Sequence, residues 1–268
     1  MPHQNPPSSC QDMTPPPLVG NKSPTLNGMG YIFYTITPMG EIFLEQEALP
    51  GRHLFEMGSG YGNIPLKALP KGVASYTAFD LSQEHLDILK QRLQQNLGID
   101  ALERITFMAG HAPQDLPRAS HQFDAILIDK VIHFLSPEEI VQTLTWAKNA
   151  LKPGGSIYVS VSTPYANHLS QKVREDYEKR QAAGEPFPGV VSHIMDLLDA
   201  THMANHPDLI LPPAMVLFTE PNLVRLFERE GFVVTYSASL KNPDDKNPLW
   251  EHAPLKESPF AEVIARWG

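Results

Sequence analysis

Glu56-Met57-Gly58-Ser59-Gly60-Tyr61-Gly62-Asn63 decides the fold of this 268-residue chain. The stretch directly follows Arg52–Met57, a short apolar run that reads as a strand. Glycines let the backbone turn sharply and approach a ligand closely. In an open α/β sheet such a loop lies outside the carboxyl ends of the strands, where ligands bind. The spacing is G-x-G-x-G. A dinucleotide fingerprint would carry its third glycine at residue 63, and this chain has Asn63 there. Glu56 stands two residues ahead of the first glycine, and Asp80 ends the next predicted strand, Tyr76–Leu81. A carboxylate in that place can accept hydrogen bonds from both hydroxyls of a ribose. The combination points to a nucleoside without a buried pyrophosphate.

Outward from this loop, strands alternate with helices. A brief helix is predicted over Ile64–Leu69, ended by Pro70 and Gly72. Ser82 caps a helix whose apolar stripe is Leu86, Leu89, Leu93 and Leu97, and Gly98 closes it. Ile105–Ala109 and Phe123–Ile128 read as the third and fourth strands; the fourth is apolar nearly throughout and so buried on both faces. Ser136-Pro137-Glu138-Glu139 is a capping box that opens a helix through Leu151, and Lys152-Pro153-Gly154-Gly155 turns the chain into a fifth strand, Ser156–Ser162. A helix marked by Leu223, Leu226 and Phe227 follows Thr219. Phe232–Ser239 and Phe260–Trp267 then form an antiparallel hairpin joined by the turn-rich Asn242–Pro248. The expected fold class is α/β: a Rossmann-like, doubly wound sheet of seven strands, mostly parallel, with an antiparallel C-terminal hairpin strand.

Residues 1–25 are proline-rich and poor in apolar side chains, the composition of a disordered tail. Residues 26–51 precede the core and carry a predicted helix at Pro38–Ala48. Residues 52–162 form the ligand-binding core and 219–268 its C-terminal part. The 163–218 insertion is too long for a simple crossover. It reads as a helical cap over the sheet's carboxyl edge, with Val173–Gln181 and Ile194–Met203 as helices.

Composition limits the partners. The net charge of −9 leaves no overall field to gather phosphate backbones, so nucleic acid is not an expected partner. The single cysteine, Cys10, excludes an internal disulfide and any cysteine-built metal site. No apolar run reaches the length of a membrane span, and the N-terminus has no charged-then-apolar leader pattern. A cytoplasmic protein is the expectation. Oligomeric state is not legible. His202 and His206 stand one helical turn apart, a metal-compatible spacing. However, Met203 follows where a zinc protease carries Glu, and Pro207 ends the helix, so no metal is expected.

With these residues in place, the chain resembles the class I S-adenosylmethionine-dependent methyltransferases over roughly residues 40–162 and 219–268. Glu56–Gly62 looks like that family's first motif, Phe123–Asp129 its fourth-strand motif, and Leu151–Gly155 the turn before its fifth strand. In the family the seventh strand runs antiparallel between the fifth and the sixth. The resemblance implies S-adenosylmethionine as cofactor, held by Glu56, Gly58, Ser59, Gly60 and Gly62. Asp80 and Leu81 would take the ribose and its surroundings, and His111 and Ala112 would lie beside the adenine. His111 stands where the family often has an acidic residue. Asp129 and Lys130, at the end of the fourth strand, would complete the site. The resemblance also implies that residues 26–51 act as an N-terminal lid segment.

The cofactor's sulfonium is already a good leaving group, so the protein's task is to align donor and acceptor. A base is needed only where the acceptor carries a proton that must leave. His133 is the first candidate base, with a helix-start histidine bonded to backbone as the equal alternative, and Asp129 could orient the methionine amine or the acceptor. Tyr31, Tyr34, His133, Tyr165, His168 and His193 are the candidate acceptor-side residues. Met195, Leu197, Leu198, Met203 and Met215 would line an apolar pocket or the core of the cap. A small-molecule methyl acceptor is expected. A protein acceptor and a catalytically silent binding module remain as the alternatives.

Overall fold

The structure is a computed structural model that describes residues 14–18, 20–33, 35–199, 203, 211–241 and 249–268. The chain opens with a small antiparallel hairpin, β1 (Lys22–Pro24) and β2 (Tyr31–Phe33), followed by α1 (Pro38–Gln46). The alternating body follows: β3 (His53–Met57), α2 (Pro65–Ala68), β4 (Ser75–Asp80), α3 (Gln83–Leu97), β5 (Ile105–Ala109), β6 (Phe123–Asp129), α4 (Pro137–Ala150) and β7 (Leu151–Ser162). The cap contributes α5 (Gln171–Ala182), β8 (Val190–Ser192) and β9 (Ala214–Val216). The chain closes with α6 (Glu220–Arg229), β10 (Val233–Leu240) and β11 (Phe260–Arg266).

Seven strands form one sheet in the order β10-β11-β7-β6-β3-β4-β5. The five strands from β7 to β5 run parallel, and β11 is antiparallel to both of its neighbours. The order reverses beside β3, which places the glycine loop at the switch point of the sheet. The closing hairpin expected from sequence is present. Its connecting turn, Asn242–Pro248, lies outside the described residues.

Local chemistry sets the helix boundaries. In α4 the Ser136 hydroxyl accepts the Glu139 N–H, and the Glu139 carboxylate accepts the Ser136 N–H at 2.9 Å, the reciprocal box that the sequence predicts. In α3 the Ser82 hydroxyl accepts the His85 N–H, and Gly98 ends the helix with φ +85°.

Two apolar layers sandwich the sheet. One packs α4 and α6 against Phe55, Met57, Phe79, Phe123, Ile126 and Val159. The other packs α1, α2 and α3 against Leu54, Tyr76, Ala78, Leu127 and Tyr158. A third cluster, including Leu169, Val173, Ile194, Met215 and Leu217, belongs to the cap and takes in Tyr31 of β2 and Phe134 after β6. The cap therefore sits at the carboxyl end of the sheet, against the N-terminal hairpin.

Two segments differ from the sequence expectation. Lys22–Pro24, expected within the tail, forms β1: its backbone pairs with Tyr31–Phe33, Ser23 donates to the Pro16 carbonyl, and the Tyr61 hydroxyl donates to the Pro24 carbonyl. Tertiary partners give this stretch the order that its composition does not. The other segment is Ile194–Met203. Ile194–Leu197 makes a 3-10 turn, and Leu198 then extends into a bridge with Leu169. The described part of the cap thus adds a two-stranded ribbon, β8–β9, to its helix.

Phe55 anchors the α4 side. Its ring centroid lies 4.8 Å from Trp146, 5.2 Å from Phe123 and 6.1 Å from Phe79. Phe55→Ala is expected to lower the unfolding free energy by about 3–5 kcal/mol, the usual cost of emptying a buried aromatic site. Urea denaturation followed by circular dichroism measures it. An unchanged midpoint would show that the cluster does not carry this layer.

Candidate active site at the carboxyl edge of the sheet

Five strands place a polar side chain at one edge of the sheet, on the face covered by α1; the four parallel strands do so near their carboxyl ends and antiparallel β11 near its amino end. These are Glu56 on β3, Asp80 on β4, Asp129 on β6, Ser160 on β7 and Glu262 on β11, as the strand registers require. Side chains two apart on a strand share a face, so apolar residues such as Leu54 and Ala78 give way to this row in one step along each strand.

Asp80 is the most connected member. Its Oδ2 accepts the Gly60 N–H at 2.8 Å, and its Oδ1 accepts the Ser82 N–H at 2.9 Å and faces His85 Nδ1 at 3.0 Å. His85 Nε2 in turn accepts the Leu26 N–H at 3.2 Å, which fixes the imidazole proton on Nδ1. Tyr61 stacks edge-on against His85. The backbone comes close here because two glycines allow it. Gly58, at φ +82°, leaves room for Val131, and Gly60, at φ +50°, sits where a Cβ would meet Ile32 Cδ1 of β2 at 2.7 Å. The N-terminal hairpin thus lies directly on the glycine loop, and Asn63 Nδ2 donates to the Phe33 carbonyl at 2.9 Å.

Glu56 is buried, and its Oε2 accepts the Tyr76 hydroxyl at 2.7 Å. Burial outweighs that bond and raises its pKa to about 8. Ser59, next in the loop, is also buried and donates to the Glu56 carbonyl. Asp129 accepts hydroxyl donors from Thr37 and Ser160, so the N-cap residue of α1 is tied to the end of β6. Glu262 Oε1 accepts the Met39 N–H, while its buried Oε2 has no hydrogen-bond partner among the described residues. Burial, reinforced by the Asp129 charge, raises its pKa to about 8.

The remaining sequence candidates fall in several places. Leu81 is partly exposed beside Asp80. The His111 N–H donates to Asp115, and Ala112 packs against the α4-side core beyond β5. Lys130 follows Asp129 at φ +58° and points into a ring of Phe33, Trp250 and Phe260. His133 is buried, its Nδ1 facing the Ser162 N–H at a long 3.5 Å. Burial, with Lys130 and His168 nearby, lowers its pKa to about 3. An imidazole of so little basicity is poorly matched to removing a proton near neutral pH, which weighs against the role of base. Tyr165 turns away from the row: its hydroxyl donates to Glu178 of α5, and burial raises its pKa to about 12. Tyr31 joins the cap cluster. His193 is exposed on the outside of the cap and its N–H donates to the Pro213 carbonyl, so it does not join the row. Tyr34, His202 and His206 lie outside the described residues. Among the described residues there is no group of three or more side chains placed to hold a metal, and no helix long and apolar enough to cross a membrane.

Sequence reasoning missed His85, Glu262 and the aromatic ring around Lys130. Glu262 had a signal: it is the one carboxylate in the apolar run Phe260–Ala265.

These residues fit an adenosylmethionine. Asp80 accepts three hydrogen bonds, and a carboxylate has about four lone-pair sites, so acceptor capacity remains for a hydroxyl. Glu262 Oε2 is an orphaned acceptor in the same row.

Residues 54–155 match the family model of a methyltransferase domain. No curated protein matches the chain in sequence. An S-adenosylmethionine-dependent methyltransferase from Mesorhizobium loti is similar in structure, with TM-score 0.57 and 16% identity over 85% of this chain and 96% of that one. A second similar structure is the 1,6-didemethyltoxoflavin-N1-methyltransferase of Burkholderia thailandensis, at TM-score 0.56 and 18% identity over 86% and 77%. A methyltransferase from Methanosarcina mazei gives TM-score 0.56 and 18% identity over 86% and 97%. At these identities the likeness is one of fold. Residues 54–155 thus carry the pattern of a methyltransferase domain, and the chain shares its fold with these S-adenosylmethionine-dependent methyltransferases.

The raised pKa of Glu56 has a consequence for stability. Folded, its carboxyl stays protonated to about 8; unfolded, it ionises at 4.5. Its contribution is full below pH 4.5 and is lost as pH climbs through about 8. Glu56→Gln keeps a neutral side chain and is expected to make the fall of the denaturation midpoint across that window shallower than in wild type. An unchanged slope would show that Glu56 is ionised in the folded chain.

Proposed function

We propose that the chain transfers a methyl group to a small-molecule acceptor enclosed between the polar row and the cap. The observation that carries this reading is the Asp80 carboxylate, joined to the glycine loop at 2.8 Å and lying at the carboxyl edge of the sheet. S-adenosylmethionine supplies, when bound, an electrophilic methyl group on a sulfonium leaving group.

The chain's own residues position and enclose. Asp80 would take the ribose hydroxyls through its remaining acceptor capacity, and Glu56 and Asp129 would face the cationic methionine end. Gly58 and Gly60 leave backbone space for the ligand. The β1–β2 hairpin, held by Tyr61 and His85, closes over the loop and excludes water. The cap supplies an apolar wall through Met195, Leu197, Leu198, Met203 and Met215. Holding acceptor, methyl and leaving group in line can account for up to about 7–11 kcal/mol of the barrier. His133 shapes the acceptor chamber instead of taking a proton, in keeping with its low basicity.

A small acceptor is favoured over a protein because the cap covers the carboxyl edge, and the net charge of −9 gives no general attraction to acidic polymers. Two measurements test the reading. Asp80→Asn is expected to weaken S-adenosylmethionine binding roughly ten- to a hundredfold by calorimetry, the equivalent of losing about 1.5–3 kcal/mol of charge-assisted hydrogen bonding. Equal affinity in variant and wild type would remove Asp80 from the ribose site. Incubating wild type with methyl-labelled cofactor and a metabolite extract should give a labelled small product. Cofactor binding with no labelled product would favour a silent binding module, and label on added proteins alone would favour a protein acceptor.

A further inference from the structure

Lys130 departs from an ordinary surface lysine in both its backbone and its surroundings. Its backbone is left-handed, at φ +58°, in a position that follows Asp129 at the carboxyl end of β6. Strain of this kind persists where the surroundings over-determine it and gathers at functional sites. The Lys130 N–H donates to the Ser160 carbonyl at 3.0 Å, which fixes the turn.

The side chain ends in an aromatic cage. Nζ lies 3.2 Å from the ring centroid of Phe260, 4.2 Å from that of Phe33 and 4.4 Å from that of Trp250. The three rings meet one another edge to face, with centroids 5.5–6.3 Å apart, so the cage is a packed unit. Nζ is buried and has no hydrogen-bond partner among the described residues. An ordinary lysine ammonium carries three N–H donors, and leaving them unpaired away from water is costly. Ring faces attract the charge but satisfy no N–H donor in the usual sense. Each methyl group added to the nitrogen removes one unsatisfied donor and keeps the cation that the rings attract. Aromatic cages serve to recognise methylated ammonium groups for this reason.

We propose that Lys130 is a methylation site that the enzyme modifies itself. The inference rests on the placement of S-adenosylmethionine at the glycine loop, since that placement puts the methyl donor at the same edge of the sheet as Nζ. Burial lowers the pKa of Lys130 to about 7, so near neutral pH a substantial fraction is the free amine whose lone pair can react. In the step, a bond forms between Nζ and the methyl carbon while the bond between sulfur and that carbon breaks. Its electron pair stays on sulfur, giving the thioether, and the nitrogen becomes an alkylammonium. The alkylammonium keeps both protons of the amine, and the nearby Asp129 charge favours this cation; a proton leaves to solvent only ahead of a further methylation. No oxidant or further reactant is required.

The test uses the full-length wild-type protein with methyl-labelled S-adenosylmethionine and no added acceptor, with cofactor binding measured in the same sample. The expected result is a mass gain of whole methyl increments on the peptide containing Lys130, at a rate per molecule independent of protein concentration. The added methyl should also show an NMR resonance shifted upfield by the ring currents of the cage, a signature that an exposed methyl-lysine lacks. Lys130→Arg should lose the modification. Trp250→Leu should lower its extent several-fold, whereas Trp250→Phe, which keeps a ring, should restore most of it. Bound cofactor with an unmodified Lys130, or label on other lysines only, overturns the inference and leaves the proposed function standing. Failure of the cofactor to bind overturns both.

Discussion

The carboxylate of Asp80 holds the functional end of this molecule together. It receives the backbone of the glycine loop through Gly60, the start of α3 through Ser82, and the imidazole of His85, which passes the connection to the N-terminal hairpin at Leu26. One buried acid therefore joins strand, loop, helix and lid. Charge-assisted hydrogen bonds of this kind are stronger than neutral ones. With both oxygens shared among backbone donors and a ring N–H, the geometry of the loop is set before any ligand arrives, so little reorganisation need accompany binding.

That preorganisation has a counterpart along the sheet. Glu56 and Glu262 are deeply buried, neither is paired with a cation at hydrogen-bonding distance, and burial raises the pKa of each to about 8. A folded chain tolerates such groups by keeping them protonated, because an isolated buried carboxylate is far more costly than a buried acid. Apolar residues at these positions would serve folding better. The N-terminus of α1 partly compensates, with the Thr37 hydroxyl on Asp129 and the Met39 N–H on Glu262. Departures from local packing rules that gather in one row are expected of a site shaped for a ligand.

Much of the fold was legible because the signals were local. The capping box at Ser136, the Ser82 cap, the Gly98 stop and the apolar fourth strand each rest on residues close together in sequence, and each recurs in the structure. The parallel body of the sheet followed from alternation of strands and helices. Long-range dependence hid the rest. Lys22–Pro24 contains a proline and three residues in all, too little to announce a strand, and it orders through Tyr61 and the partner strand. The cap run from Ile194 shows helical spacing, yet left-handed His193 and the bridge from Leu198 to Leu169 break it. His85 reads as a helix position in sequence; only the fold brings its two nitrogens between Asp80 and Leu26.

Lys130 shows how far such tertiary assembly can alter the meaning of a residue. In sequence it is a lysine after a strand-end aspartate, where solvent would ordinarily claim the amine. The cage that receives it is drawn from three distant parts of the chain: β2, the segment ahead of β11, and β11 itself. Two of these, Trp250 and Phe260, come from the antiparallel addition to the parallel core, and Phe33 comes from the hairpin that Asp80 secures through His85. The same hairpin that lies on the glycine loop thus also contributes to the cage. A shift of the hairpin would open both together, so access to the buried amine and access to the glycine loop depend on one structural element.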